Sequence, residues 1–162
     1  PYQGGGGMIR HVGKHRSKWA APPDKFEAGT PPVGQVPGLR AALEYLAYYG
    51  IEEVKKHDNE LTEHALNKLS EFPDLDLYGP SDIQNRTGVV SFNLKNVHSH
   101  DVAQVLDEFG IAMRAGHHCT QVLHEKLGVT ATLRMSFGIY NDYSEIDRMF
   151  SALDQVREIF LH

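Results

Sequence analysis

Cysteine occurs once in the 162 residues, as Cys119, so no disulfide can close within the chain. A single thiol fits a reducing compartment, and no signal-peptide pattern opens the sequence; a cytoplasmic location is the expectation. Nowhere do about 18 apolar residues follow one another, so no membrane-spanning helix is expected. Positive charge is also in short supply. With 16 Lys and Arg against 21 Asp and Glu, the formal charge is −5. That balance argues against a nucleic-acid footprint, which needs clustered basic residues. The one local exception, Arg10–Lys18, reads as a solvated loop, because His11 and His15 add little charge at neutral pH. A phosphate-binding Walker loop is absent as well. Five residues, not four, separate Gly7 from Gly13-Lys14, and His15 follows where Ser or Thr is needed. What remains, 41% apolar and 23% charged, is the composition of a soluble globular domain with enough residues for a core.

Glycine and proline dominate the start of the chain, in Gly4–Gly7, Pro22-Pro23 and Gly29–Gly34. Residues 1–37 therefore read as irregular structure, unusually long for the opening of a self-contained domain. Regular patterning begins at Leu39, where Leu39, Ala42, Leu43, Leu46 and Ala47 form one helical stripe ending at Gly50. Val54, Leu61, Ala65, Leu69 and Phe72 predict a second helix, stopped by Pro73. Strands are expected at 75–78 and 88–94, the latter on period-two alternation of Val90, Phe92 and Leu94. Ser99 is expected to cap a helix carrying Val102, Val105, Leu106 and Phe109. A strand at 111–114, a short helical piece near 122–127 and a strand at 132–140 follow. Asp142 and Glu145 have capping-box spacing at the head of a last helix with Ile146, Met149, Phe150, Leu153, Val156 and Phe160 inward. The fold class expected is α/β in two layers, with helices on one face of a mainly antiparallel sheet. The expected organisation is a loop-rich segment over 1–37 and an α/β domain over 38–162.

Alternation also places two charged side chains. Arg114 lies opposite in phase to Ile111 and Met113, and Arg134 opposite to Leu133 and Met135. If the two strands are neighbours, both guanidiniums emerge on the face that the helices leave uncovered, where their planar forks suit a carboxylate or phosphate; the competing reading is two solvated surface arginines. Cys119 sits beyond Arg114-Ala115-Gly116-His117-His118, in a loop rather than an apolar stripe. Three readings compete: a small buried hydrophobe, a nucleophile whose thiolate is favoured by nearby positive charge, and a metal ligand. Adjacent His-His-Cys lacks the spacing that lets ligands converge, so no metal is expected. A Cys–His hydrolase stays formally open, without an oxyanion-hole signature to support it.

Arg114-Ala-Gly-His-His-Cys119, then Leu133-Arg134-Met-Ser136 and Tyr140-Asn141, closely resembles the C-terminal part of the group II cysteine desulfurases and selenocysteine lyases. These are class V aminotransferases, pyridoxal-phosphate enzymes of fold type I. Phe26-Glu27-Ala28-Gly29-Thr30-Pro31, Tyr78-Gly79-Pro80 and Arg86–Phe92 follow the same family's pattern, so the resemblance runs through essentially the whole chain in order. The short link from Cys119 to Arg134 resembles group II rather than group I.

The resemblance implies the fold of such an enzyme's small C-terminal domain, and a function. Cys119 matches the nucleophile that takes sulfur from cysteine, leaving alanine and an enzyme persulfide for a sulfur acceptor protein serving iron–sulfur cluster assembly. Arg134 matches the arginine that holds the substrate carboxylate, and Arg114 a second active-site arginine. Gly29 and Thr30 match a Gly-Thr pair that reaches the cofactor phosphate of the neighbouring subunit, which implies a homodimer. His117 and His118 match loop positions with a supporting role. The Schiff-base lysine of the family lies upstream of the glycine run and has no counterpart here, so 1–37 is expected to continue from an upstream cofactor domain. This chain alone is expected not to hold pyridoxal phosphate or turn over cysteine. Alternatives are a stand-alone binding or sulfur-relay module, or a sister activity such as selenocysteine lyase or cysteine sulfinate desulfinase.

Overall fold

In the computed structural model, which describes residues 1–161, the chain divides into two compact units, Pro1–Gly50 and one starting at Ile51. The helix expected to open the second segment thus lies within the first unit.

The first unit is not wholly irregular. Ile9–Val12 (β1) and Ser17–Trp19 (β2) pair as an antiparallel hairpin with an irregularity between Ile9 and His11. The basic run expected to be a loop is this hairpin. Alternation could not announce it, because every residue of both strands is exposed or half-buried and neither face is apolar. Met8, fully buried, ties it down by accepting from Ala20 N at 2.8 Å through its carbonyl. The glycine run is engaged too: Gly29 N donates to Gly6 O at 2.9 Å. A Cβ on Gly5 would come within 2.9 Å of Gly29 N, so glycine is required by that approach. Gln35–Tyr49 forms α1, closed by Gly50 at φ 84°. Its expected stripe is there but uncovered: Leu39 and Leu43 are 63% and 59% exposed.

The second unit builds its core from periodicity. Ile51–Ser70 (α2) starts on Glu52 and Glu53, favourable at the positive end of a helix. It buries Leu61, Ala65 and Leu69. Leu75–Tyr78 (β3) and Val89–Leu94 (β4) follow, β4 alternating between buried and half-exposed positions. Ser99–Glu108 (α3) buries Val102 and Leu106. Its cap is not Ser99 but His98, which holds the extended junction conformation and whose ring nitrogen accepts from His100 N. Ser99 becomes the first helical residue, its hydroxyl buried and without a partner. Arg114–Gly116 (β5), Gln121–Leu127 (α4), Thr132–Ser136 (β6) and Tyr143–Leu161 (α5) complete the chain.

The four strands form one antiparallel sheet in the order β3-β4-β6-β5. β5 begins at the residue where it was expected to end, because only residues 114–116 find ladder partners on β6. β6 stops at Ser136 rather than near 140. Past it, Phe137 N donates to Gly88 O, and Gly138 N turns onto the Asn141 side chain at 2.7 Å. Helices α2, α3 and α5 pack on one face over Val90, Phe92, Leu94, Leu133 and Met135. Each fully buried large side chain contributes about 1.5–3 kcal/mol of transfer free energy. The capping box forms as spaced: Glu145 N donates to Asp142 Oδ1 at 3.1 Å and Asp142 N to Glu145 Oε2 at 3.2 Å.

Candidate active site

Register decides what the uncovered face of the sheet presents. Arg114 pairs with Arg134, Arg134 with Ser91, and Ser91 with Tyr78, one row across all four strands. Directly opposed residues of antiparallel strands share a face, so these four side chains emerge together on the side away from Phe92 and Leu133. Two opposed guanidiniums repel each other, and among the described residues neither joins an ion pair. Arg134 is half-buried, and its Nε is buried without a hydrogen-bond partner. Arg114 is exposed. The pair concentrates positive charge at one point of this face.

A cavity of about 420 Å³ opens beside this row, lined among others by Tyr78, Arg86, His118, His124 and Arg134. Arg86 had no role assigned from sequence. Its guanidinium braces the wall by donating from Nη2 to Tyr78 O at 2.9 Å and from Nε to the Pro80 carbonyl. Burial pulls Arg86 below the usual arginine range, with Asp82 acting in the opposite direction. Burial likewise raises the Tyr78 phenol above its ordinary value.

The cysteine loop leaves β5 at Gly116, whose φ of 131° suits glycine, and crosses the uncovered face. His118 and Cys119 are both left-handed, φ 53° and 62°, an uncommon conformation for two successive residues with side chains. Cys119 is exposed and free, which removes the buried-hydrophobe reading. His117 is exposed, and His118 half-buried. Burial lowers the His118 pKa most, the hydrogen bond to the Thr132 backbone opposes that, and Arg134, His124 and Arg114 lower it further. Behind the loop, α4 brings His124 onto Thr132 of β6, Nε2 to Oγ1 at 3.1 Å. Both are buried. Sequence reasoning passed over them, since their partnership exists only once α4 folds onto β6. The one available signal was the helical spacing of Thr120 and His124.

Gly29 and Thr30 lie in the first unit, in the wall of a cavity of about 430 Å³ that also includes Asp24 and Glu27. The Gly29 amide donates to the Gly6 carbonyl, and Thr30 is exposed. Among the described residues no cluster of His, Cys, Asp or Glu converges as metal ligands. No described helix is long and apolar enough to cross a membrane.

The profile described as aminotransferase class-V matches residues 1–149. The chain belongs to the class V aminotransferase family. Its relatives in that family include a cysteine desulfurase of Haloferax volcanii, 51% identical over 160 residues, 99% of this chain and 37% of the relative. A probable cysteine desulfurase of Streptomyces coelicolor is 47% identical over 160 residues, again 99% of this chain and 38% of the relative. Among solved structures, the cysteine desulfurase CsdA of Escherichia coli superposes with a TM-score of 0.86 at 38% identity, over 99% of this chain and 39% of that one. The cysteine desulfurase of Thermococcus onnurineus NA1 gives 0.84 at 36%, over 95% and 38%. The chain thus spans well under half the length of each, and has the fold of the corresponding part of these fold type I enzymes.

Proposed function

We propose that this chain supplies the nucleophile and the carboxylate-binding part of a pyridoxal-phosphate-dependent cysteine desulfurase, the whole enzyme being longer than the 162 residues. The observation that carries the reading is Arg134, a half-buried guanidinium opposed to Arg114 and, among the described residues, without a carboxylate partner. Such a group is preorganised for the carboxylate of an amino-acid substrate, because it is already partly desolvated and need break no ion pair to bind. Cys119, exposed beyond the same strand, is the sulfur nucleophile.

In this reaction the Cys119 thiolate attacks the sulfur of the substrate cysteine. A sulfur–sulfur bond forms as the carbon–sulfur bond breaks. The electron pair of the broken bond stays on carbon, which takes up a proton and leaves as alanine, while the enzyme keeps a persulfide. Pyridoxal phosphate, when bound, supplies the electron sink beside that carbon. Thr30 fits one contact to its phosphate by its free hydroxyl, and we assign that contact to the neighbouring subunit of a homodimer. His117 and His118 shape the loop. A sulfur acceptor protein then takes the terminal sulfur, towards iron–sulfur cluster assembly.

The test is alanine and sulfide release from cysteine by the longer enzyme in the presence of a reductant. Replacing Cys119 by Ala should abolish sulfide release. Turnover that survives the replacement would remove Cys119 from the reaction, and turnover of selenocysteine or cysteine sulfinate alone would point to a sister activity.

A further inference from the structure

The hydrogen bonds behind the Cys119 loop have a direction that follows from their partners alone. Thr120 Oγ1 donates to the His117 carbonyl at 2.7 Å, which commits its only proton. His124 Nδ1 therefore faces two acceptors, the Thr120 carbonyl at 3.0 Å and Thr120 Oγ1 at 3.4 Å, and must carry hydrogen. In the neutral ring Nε2 is then an acceptor, so Thr132 Oγ1, at 3.1 Å, must donate to it. At the far end His118 Nε2 lies 3.0 Å from the Thr132 carbonyl and 3.0 Å from Thr132 Oγ1. A carbonyl only accepts, so His118 Nε2 carries hydrogen, and in the neutral ring Nδ1 is a bare lone pair, buried and without a partner among the described residues. The Thr132 hydroxyl accepts from one histidine and donates to the other.

Such a chain resists a second proton on His118. That proton would place an N–H where nothing accepts it, facing Arg134 on β6, Arg114 on β5 and His124 on α4. His117 is the remaining titratable neighbour, its ring 5.6 Å from that of His124. The anchored residue, His118, is also the first of the two left-handed residues that present Cys119.

We propose that His124 and Thr132 are positioning residues for Cys119: their hydrogen-bond chain pins neutral His118 to β6 and holds the next residue in its left-handed presentation. The proposal rests on reading Cys119 as the nucleophile. Its test needs neither cofactor nor substrate, so its failure is separable from failure of the desulfurase assay. Nitrogen-15 NMR of histidine-labelled protein should find His118 neutral at pH 7 and bare at Nδ1, and His124 carrying hydrogen at Nδ1. A charged His118 ring, or the reversed tautomer at either position, would overturn it. Alkylation of Cys119 by iodoacetamide gives the functional readout. Thr132→Val keeps the shape and removes the hydroxyl. Its alkylation rate should differ from the parent by roughly three- to tenfold, the effect of one lost hydrogen bond. Its pH profile should gain an inflection where histidine titrates, and Thr132→Ser should restore the parent profile. Superimposable profiles for Val and parent would sink the idea. The tautomers are read in the unmutated protein, so they decide the matter even where a variant is unstable.

Discussion

Replacing Arg134 by Met should make the protein more stable while removing the proposed carboxylate site. The Arg134 Nε is buried without a partner, and a buried unsatisfied donor costs about 1–3 kcal/mol. Its guanidinium also stands directly opposite Arg114, and opposed like charges on paired strands cost roughly a further 0.2–1 kcal/mol. Methionine keeps most of the aliphatic stem, so little packing is lost in return. The net expectation is a gain of about 1 kcal/mol or more, a rise in Tm of about 2–4 °C per kcal/mol for a chain of this size. Urea unfolding followed by circular dichroism measures it, with and without propionate at constant ionic strength. Propionate, a carboxylate without the rest of the substrate, should raise the midpoint of the parent by mass action and leave Arg134→Met unmoved. A variant less stable than its parent would refute the argument that Arg134 is held at a cost, and an equal propionate effect on both would refute its role as the carboxylate site. A site that pays in stability for a poised charge is the usual trade between function and folding.

Three further outcomes follow from the same packing. Phe92→Ala, at a fully buried position on a central strand, should cost about 3–5 kcal/mol in chemical denaturation. Gly116→Ala should cost about 1–3 kcal/mol through backbone strain alone, because φ is 131° and an added Cβ would meet nothing within 4 Å. Hydrogen bonds from Ser144 and then from the Glu145 amide hold the Asp142 carboxyl below its usual range. Its contribution to stability is therefore complete above the ordinary carboxylate pKa and is lost as pH falls through the lowered folded value. Asp142→Asn should flatten that acid limb in midpoint-against-pH measurements, and an unchanged slope would remove the cap from the account.

Local pattern settled the parts of this protein whose physics is local. Helices α2, α3 and α5 follow from one apolar stripe each, and the reciprocal cap of α5 follows from two acidic residues three apart. β4 follows from alternation, because one of its faces is buried and the other is not. The Arg114–Cys119 and Arg134–Ser136 motifs point to the family for a different reason: a family's residue types and their spacings are written in the chain itself. Tertiary structure decided whatever depends on a partner distant in sequence. The hairpin β1–β2 has no apolar face to announce it, and the limits of β5 and β6 are set by where each finds the other. That Arg114 and Arg134 stand opposite one another is a fact of register, which alternation could allow but not fix. His124 and Thr132 meet only because α4 folds onto the sheet, so their joint hold on His118 becomes visible only in three dimensions. A period along the chain records which side of an element is wet; the pairing across the sheet records which side chains share that surface, and the site is made from the second.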